Sequence, residues 1–155
     1  MKISELIRKE YVSLSLVADS KESAIQQIAQ LAKSHPTLGD FPSFCRSIYE
    51  RESTGSTSIG YGVAIPHART EQVKELLFIV GRLTEGIKFE PTDEIPVRLI
   101  FLVAIPKKMV TEYLRLVGTL ARHLKNEGLR QELLNAPDAD TLIQIFVKSE
   151  SALGQ

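Results

Sequence analysis

The chain of 155 residues predicts an α/β sandwich, a central sheet covered by helices. Two runs of branched aliphatics in the middle of the chain, Leu76 to Leu83 and Val97 to Ile105, read as buried strands. Amphipathic helical stripes lie both before and after them. The length suits one compact domain over residues 1–155. A hydrophobic share of 43% against 25% charged residues argues against a disordered or fibrous chain.

Ser4 to Lys9 has the spacing of a short amphipathic helix. Val12 to Val17 alternates Val12, Leu14 and Leu16 with serines, the pattern of a half-buried strand. Ser20 is placed to cap a helix whose stripe is Ala24, Ile25, Ile28, Ala29, Leu31 and Ala32, ending near His35-Pro36. After the loop PTLGDFPS, Phe44, Cys45, Ile48 and Tyr49 repeat at helical spacing from Pro42 to Glu52, with Gly55 as the stop. Val63 to Ile65 reads as a short strand. Glu85 to Glu94 reads as a loop or short hairpin between the two aliphatic runs. Beyond Pro106, Leu114, Val117, Leu120, Ala121 and Leu124 predict a helical face that ends near Asn126 to Gly128. A short helix over Leu129 to Leu134 follows, then a last one carrying Leu142, Ile145 and Phe146, capped by Asp138 or Asp140. Strand directions do not follow from these patterns.

Lysine plus arginine equals aspartate plus glutamate at 19 each, so no global field draws the chain to nucleic acid or to an anionic membrane. The longest apolar run, Val97 to Pro106, is about half of the roughly 20 residues that a membrane-spanning helix requires. Charges interrupt the start, MKISELIRKEY, unlike the core of a secretory signal. Cys45 is the only cysteine, which excludes an internal disulfide and fits a reducing compartment. The expectation is a cytoplasmic protein with no direct membrane insertion.

The chemistry concentrates in GSTSIGYGVAIPHAR, Gly55 to Arg69. Three glycines invite a phosphate-loop reading, yet no Lys-Ser or Lys-Thr follows at Walker spacing and the glycines do not form GxGxxG. His67 is better placed: Pro66 fixes its own φ and restricts Ile65, so the imidazole is presented at a rigid strand end. An imidazole held this way can act as nucleophile, general base or metal ligand; a loop histidine with no chemical role fits the same spacing. A metal site lacks companions, because His35 and His123 lie in separate segments with no HxH, HExxH or CxxC pair. A serine-hydrolase elbow, GxSxG, is also absent. Phosphoryl transfer to His67 needs only positioning and charge compensation. Arg51 at the end of its predicted helix can supply a guanidinium fork, and Arg69 is a second candidate. The hydroxyls of Thr54, Ser56, Thr57 and Ser58 are potential donors and equally what a turn contains.

The segment from Arg51 to His67, RESTGSTSIGYGVAIPH, resembles the active-site signature of the fructose/mannitol/nitrogen-regulatory (type 2) class of enzyme IIA domains. These belong to the bacterial phosphoenolpyruvate-dependent phosphotransferase system. The strand VRLIFLVAIP followed by a helix, and the overall length, extend the resemblance along the chain. It implies a mixed sheet with helices on both faces, and phosphate carried on His67 without cofactor or metal. It also implies charge compensation by Arg51 and a phosphohistidine donor on an HPr-type carrier. The recipient would be a IIB domain, or the phosphate would remain as a regulatory mark read by targets such as kinases or transporters. The nitrogen-regulatory role is the main expectation; a sugar-specific role and a degenerate regulatory module with weak transfer are the alternatives.

The family often has a second active-site histidine early in the helix after the central strand, and here that position is Tyr113. His123 does not replace it, lying about 280° around the helix and roughly 15 Å along it. Tyr113 can offer a hydroxyl to phosphate, or it packs at the core edge. Tyr61, between two glycines, would narrow access or touch the carrier. Docking calls for an apolar collar with a polar rim, for which Glu85, Glu90, Asp93 and Glu94 are acidic candidates.

Overall fold

The structure, a computed structural model, describes residues 2–152. Along the chain come α1 (Ile3–Leu6), β1 (Val12–Leu16), α2 (Lys21–Gln30), α3 (Phe41–Ser53), β2 (Ser58–Gly60), β3 (Val63–Ala64), β4 (His67–Thr70), β5 (Leu77–Ile87) and β6 (Val97–Pro106). Three helices close the order: α4 (Val110–Leu124), α5 (Glu127–Asn135) and α6 (Ala139–Ala152).

Short polar side chains start the helices by satisfying backbone N–H groups that have no partner within the helix. Ser20 Oγ accepts from the Ser23 N–H at 3.1 Å, and Asp40 Oδ2 from Ser43 at 3.0 Å, with Pro42 in the first turn. Asn126 Oδ1 accepts from Leu129 at 2.9 Å. Asp138, rather than Asp140, caps α6 by accepting from Thr141 at 2.8 Å.

The sheet is mixed, in the order β1-β5-β6-β3-β2, with β4 continuing beside β6 beyond β3. β5 runs antiparallel to β6, β1 parallel to β5, β3 and β4 parallel to β6, and β2 antiparallel to β3. β6 is buried on both faces, so its near-continuous aliphatic run divides by alternation. Leu99, Phe101, Val103 and Ile105 meet the layer of α1, α4, α5 and α6. Ile100, Leu102 and Ala104 meet α2 and α3. The result is the predicted sandwich, with helices on both faces of the sheet.

The first helix ends at Leu6 rather than Lys9, and two further differences from the sequence reading bear on the core. β5 continues to Ile87, taking the start of the segment expected as loop or hairpin. The buried face of α4 is Leu116, Thr119, Leu120, His123 and Leu124, whereas Leu114 is 62% exposed. Both stripes satisfy helical spacing. Burying Leu116, Leu120 and Leu124 at about 1.5–3 kcal/mol each outweighs covering Leu114, and that fixes the rotation of the helix. No helix of the described residues is long and apolar enough to cross a membrane.

Candidate functional site

β3 and β4 form one interrupted line along β6, broken at Ile65-Pro66. Val63 and Ala64 pair with Leu99 and Ile100, and His67 to Thr70 with Val103 to Pro106. Pro66 has no N–H to offer, and its carbonyl accepts from the Val103 N–H at 2.9 Å. Lacking a donor suits proline to this break, where the line passes from β3, which β2 covers, to β4, whose strand partner is β6. His67 therefore begins β4 at a fixed register, within reach of α3 on one side and α4 on the other.

Two contacts define the imidazole. Nδ1 lies 2.7 Å from the Ile65 carbonyl, which can only accept, so Nδ1 carries the proton. The Nε of Arg51 donates to His67 Nε2 at 3.1 Å, which requires a lone pair on Nε2. Both contacts select the neutral Nδ1–H tautomer. His67 is 8% exposed. Burial pushes its pKa below the ordinary histidine value; the Ile65 carbonyl opposes that shift, Arg51 adds to it and Glu52 opposes it. The ring is thus kept uncharged, with a nucleophilic nitrogen facing a guanidinium.

Arg51 stands in the last turn of α3. Its Nη1 donates to the Gly55 carbonyl at 2.9 Å and approaches Thr54 Oγ1 at 3.4 Å, so the fork is oriented by the loop that leaves the helix. Tyr113 meets the His67 ring edge-on, with centroids 5.1 Å apart and planes at 63°. Burial raises the Tyr113 pKa, with Arg51 and Arg69 acting the other way, so the phenol keeps its proton at neutral pH. An open groove beside this cluster is lined by Arg51, Arg69 and Lys107, by Glu50 and Glu71, and by Ser47 and Tyr113. Arg69 Nη1 donates to the Lys107 carbonyl at 3.3 Å. On α4, Val110 and Leu114 flank Tyr113 and are 43% and 62% exposed, an apolar margin next to a polar groove.

The other expectations divide. His35 lies by Glu75 and Thr37, and His123 is buried against Ser149, so neither joins His67. Tyr61 sits in the β2–β3 turn, beyond the end of the line opposite His67. Val63 and His67 alone are separated by about 13 Å of strand. The Tyr61 ring lies 4.5 Å from the Arg130 guanidinium and does not border the groove. The four loop hydroxyls are engaged locally: Thr54 with the Arg51 carbonyl, Thr57 with Glu52, Ser58 with Asp93, and Ser56 Oγ with the Ser58 N–H. Asp93 is not a rim residue. It is buried and accepts from Ser58 Oγ at 2.7 Å and from the Phe89 and Glu90 N–H groups.

Glu52 follows Arg51 in the signature segment, and the sequence reading assigns it no task. In the fold it is 7% exposed, accepts from Thr57 N–H and Oγ1–H at 2.9 and 2.6 Å and pairs with Lys21 at 2.9 Å. Its position next to a candidate phosphate-binding arginine was the one available signal. Among the described residues no group of three or more His, Cys, Asp and Glu side chains could hold a metal ion.

Comparison with known proteins identifies the family. The family model described as phosphoenolpyruvate-dependent sugar phosphotransferase system, EIIA 2, matches residues 5–149. A PTS system fructose-specific EIIABC component of Bacillus subtilis is 33% identical over 146 residues, covering 94% of this chain; the match spans only 23% of that longer relative. A PTS system fructose-specific EIIA component of Haloferax volcanii is 30% identical over 146 residues, 94% of this chain and 95% of the relative. The crystal structure of nitrogen regulatory protein IIA-Ntr from Neisseria meningitidis superposes with a TM-score of 0.86 at 27% identity, covering 93% of this chain and 98% of that one. With the family matched over nearly its whole length, the chain belongs to the EIIA type 2 family of the phosphoenolpyruvate-dependent sugar phosphotransferase system.

Proposed function

We propose that the protein is a phosphocarrier that accepts a phosphoryl group on His67 Nε2 from a phosphohistidine of an HPr-type carrier. The observation that carries this reading is the pair of contacts on His67. Nδ1–H is fixed on the Ile65 carbonyl, and Nε2 faces the Arg51 guanidinium.

In the transfer, the Nε2 lone pair forms a bond to phosphorus as the donor's P–N bond breaks. That electron pair returns to the donor nitrogen, and a donor protonated on its other nitrogen leaves as neutral imidazole. The positive charge then resides on the phosphorylated His67 ring, whose Nδ1–H still donates to Ile65. Arg51 turns from Nε2 toward the phosphoryl oxygens, supplying charge where the transition state needs it. Arg69 and Lys107 add cations along the groove, set against Glu50 and Glu71. Tyr113 provides an edge contact and a neutral phenol O–H; it lacks the charge of a protonated histidine and so favours slower transfer. Val110 and Leu114 form the apolar part of the carrier's docking surface, the collar that a transient encounter requires.

The role we favour is nitrogen-regulatory, supported by the likeness to the Neisseria protein named above. Phosphate on His67 then adds charge that partners such as kinases or transporters read. The fructose-specific name of the Haloferax relative favours a second reading, in which a IIB domain receives the phosphate. In either case the protein works in the cytoplasm, where its carrier resides. Incubation with enzyme I, an HPr-type carrier and phosphoenolpyruvate tests the assignment: the product is acid-labile, base-stable phosphate, and label on His67→Ala as strong as on the wild type overturns it. Tyr113→His distinguishes a slowed carrier from an efficient one, because an unchanged rate removes the tyrosine as the limiting group.

A further inference from the structure

We infer that Lys21, Glu52 and Thr57 form a positioning chain that, together with the Arg51 contact on Nε2, holds His67 in the Nδ1–H tautomer and keeps Nε2 unprotonated. The inference rests on His67 being the phosphoryl acceptor, and it names residues that touch neither the imidazole nor the phosphate.

Each link is a hydrogen bond with one sensible direction. The Lys21 ammonium meets Glu52 Oε2 at 2.9 Å. Glu52 Oε2 also accepts from the Thr57 N–H at 2.9 Å, and Oε1 accepts from Thr57 Oγ1–H at 2.6 Å. With both donors of Thr57 tied to one carboxylate, its carbonyl accepts from the Ile65 N–H at 3.0 Å. The Ile65 carbonyl then accepts from His67 Nδ1–H at 2.7 Å. The sequence of contacts runs from the first turn of α2 through α3 to the break between β3 and β4, and it ends on the atom that selects the tautomer.

A buried ion pair adds little net stability over an apolar filling of the same space. What it adds here is a fixed peptide. Glu52 is 7% exposed, and its three hydrogen-bonding partners belong to only two residues, so moving it displaces Thr57. Arg51 is its neighbour on α3, which ties the charge-compensating side chain and the acceptor nitrogen to the same anchor.

The test reads the tautomer directly in the full-length protein by long-range ¹H–¹⁵N spectra of the histidine side chains. Wild type shows His67 protonated on Nδ1. Thr57→Val, which keeps every charge and removes one link, shifts His67 partly to the Nε2–H form. Glu52→Gln shifts it further, and Thr57→Ser restores the wild-type spectrum. Phosphoryl acceptance from a phosphorylated HPr-type carrier falls about tenfold in Glu52→Gln. A wild-type tautomer in both folded variants overturns the chain, as does a shift in Thr57→Val that serine fails to reverse. If Glu52→Gln does not fold, Thr57→Val and Thr57→Ser decide alone. Should the tautomer respond as stated while wild type accepts no phosphate, the positioning chain stands and the phosphocarrier reading falls.

Discussion

Replacing Arg51 by glutamine removes the guanidinium from His67 while keeping a side chain of similar reach. The Nε–Nε2 distance of 3.1 Å places the guanidinium where a phosphoryl oxygen on Nε2 would lie within direct hydrogen-bonding reach. Two unit charges about 4 Å apart at an effective dielectric near 20 attract by about 4 kcal/mol, an upper bound because Arg51 is partly solvated. Hydrogen bonds to charged groups contribute about 1.5–3 kcal/mol in mutational series. At 1.36 kcal/mol per decade, that range predicts a slowing of about 10- to 150-fold. The assay is rapid-quench transfer from a phosphorylated HPr-type carrier, paired with NMR titration of His67. Arg51 lowers the pKa of His67, so the variant titrates at higher pH even as its transfer slows. Arg51→Lys keeps the charge without the fork and falls between the two. A rate within twofold of wild type, or a His67 titration that moves downward, refutes the assigned role.

Other perturbations follow from the same geometry. Gly60 and Gly62 have φ of +84° and +78°, but only at Gly62 would a Cβ meet Ile95 Cγ2 and the Pro96 carbonyl, each at 3.0 Å. Gly60→Ala costs about 1 kcal/mol of conformational strain and Gly62→Ala costs more, measured by urea unfolding; equal losses contradict the contact. The folded His67 binds its proton less tightly than an unfolded histidine. Below about pH 6.5 the unfolded chain therefore takes up a proton that the fold resists, and stability declines toward the depressed folded value. Above that window His67 contributes no slope, and comparing wild type with His67→Gln across pH 5–8 isolates its share. Leu114→Asp weakens carrier docking, raising the KM for the phosphorylated carrier while leaving Tm within the range typical of surface changes; an unchanged KM removes α4 from the docking surface.

The fold was legible where one pattern dominated. The aliphatic run of β6, the Ser20 cap and the stripe of α2 each had a single consistent reading, and the structure follows them. β4 had none: His67-Ala68-Arg69-Thr70 carries no strand periodicity and becomes a strand because its backbone pairs with Val103 to Pro106 of β6. That pairing is tertiary and leaves no local trace. For α4 the sequence reading follows the stripe through Leu114, and the position of the sheet selects Leu116 instead. At the site, the Arg51 to His67 segment was readable through its resemblance to a family signature, and the structure brings the two side chains together across sixteen residues. The buried role of Glu52 was not readable, because a glutamate in sequence looks solvated until the fold encloses it. Asp93 misled for the same reason, reading as one more charge in an acidic loop when it ties that loop to Ser58.

The most direct measurement of the central claim is to locate the phosphoryl group by ¹H–¹⁵N and ³¹P spectra of the phosphorylated protein. The account predicts one phosphate on Nε2 of His67, with Nδ1 still protonated and bonded to the Ile65 carbonyl. Phosphate on Nδ1 of His67, or on His35 or His123 instead, contradicts it.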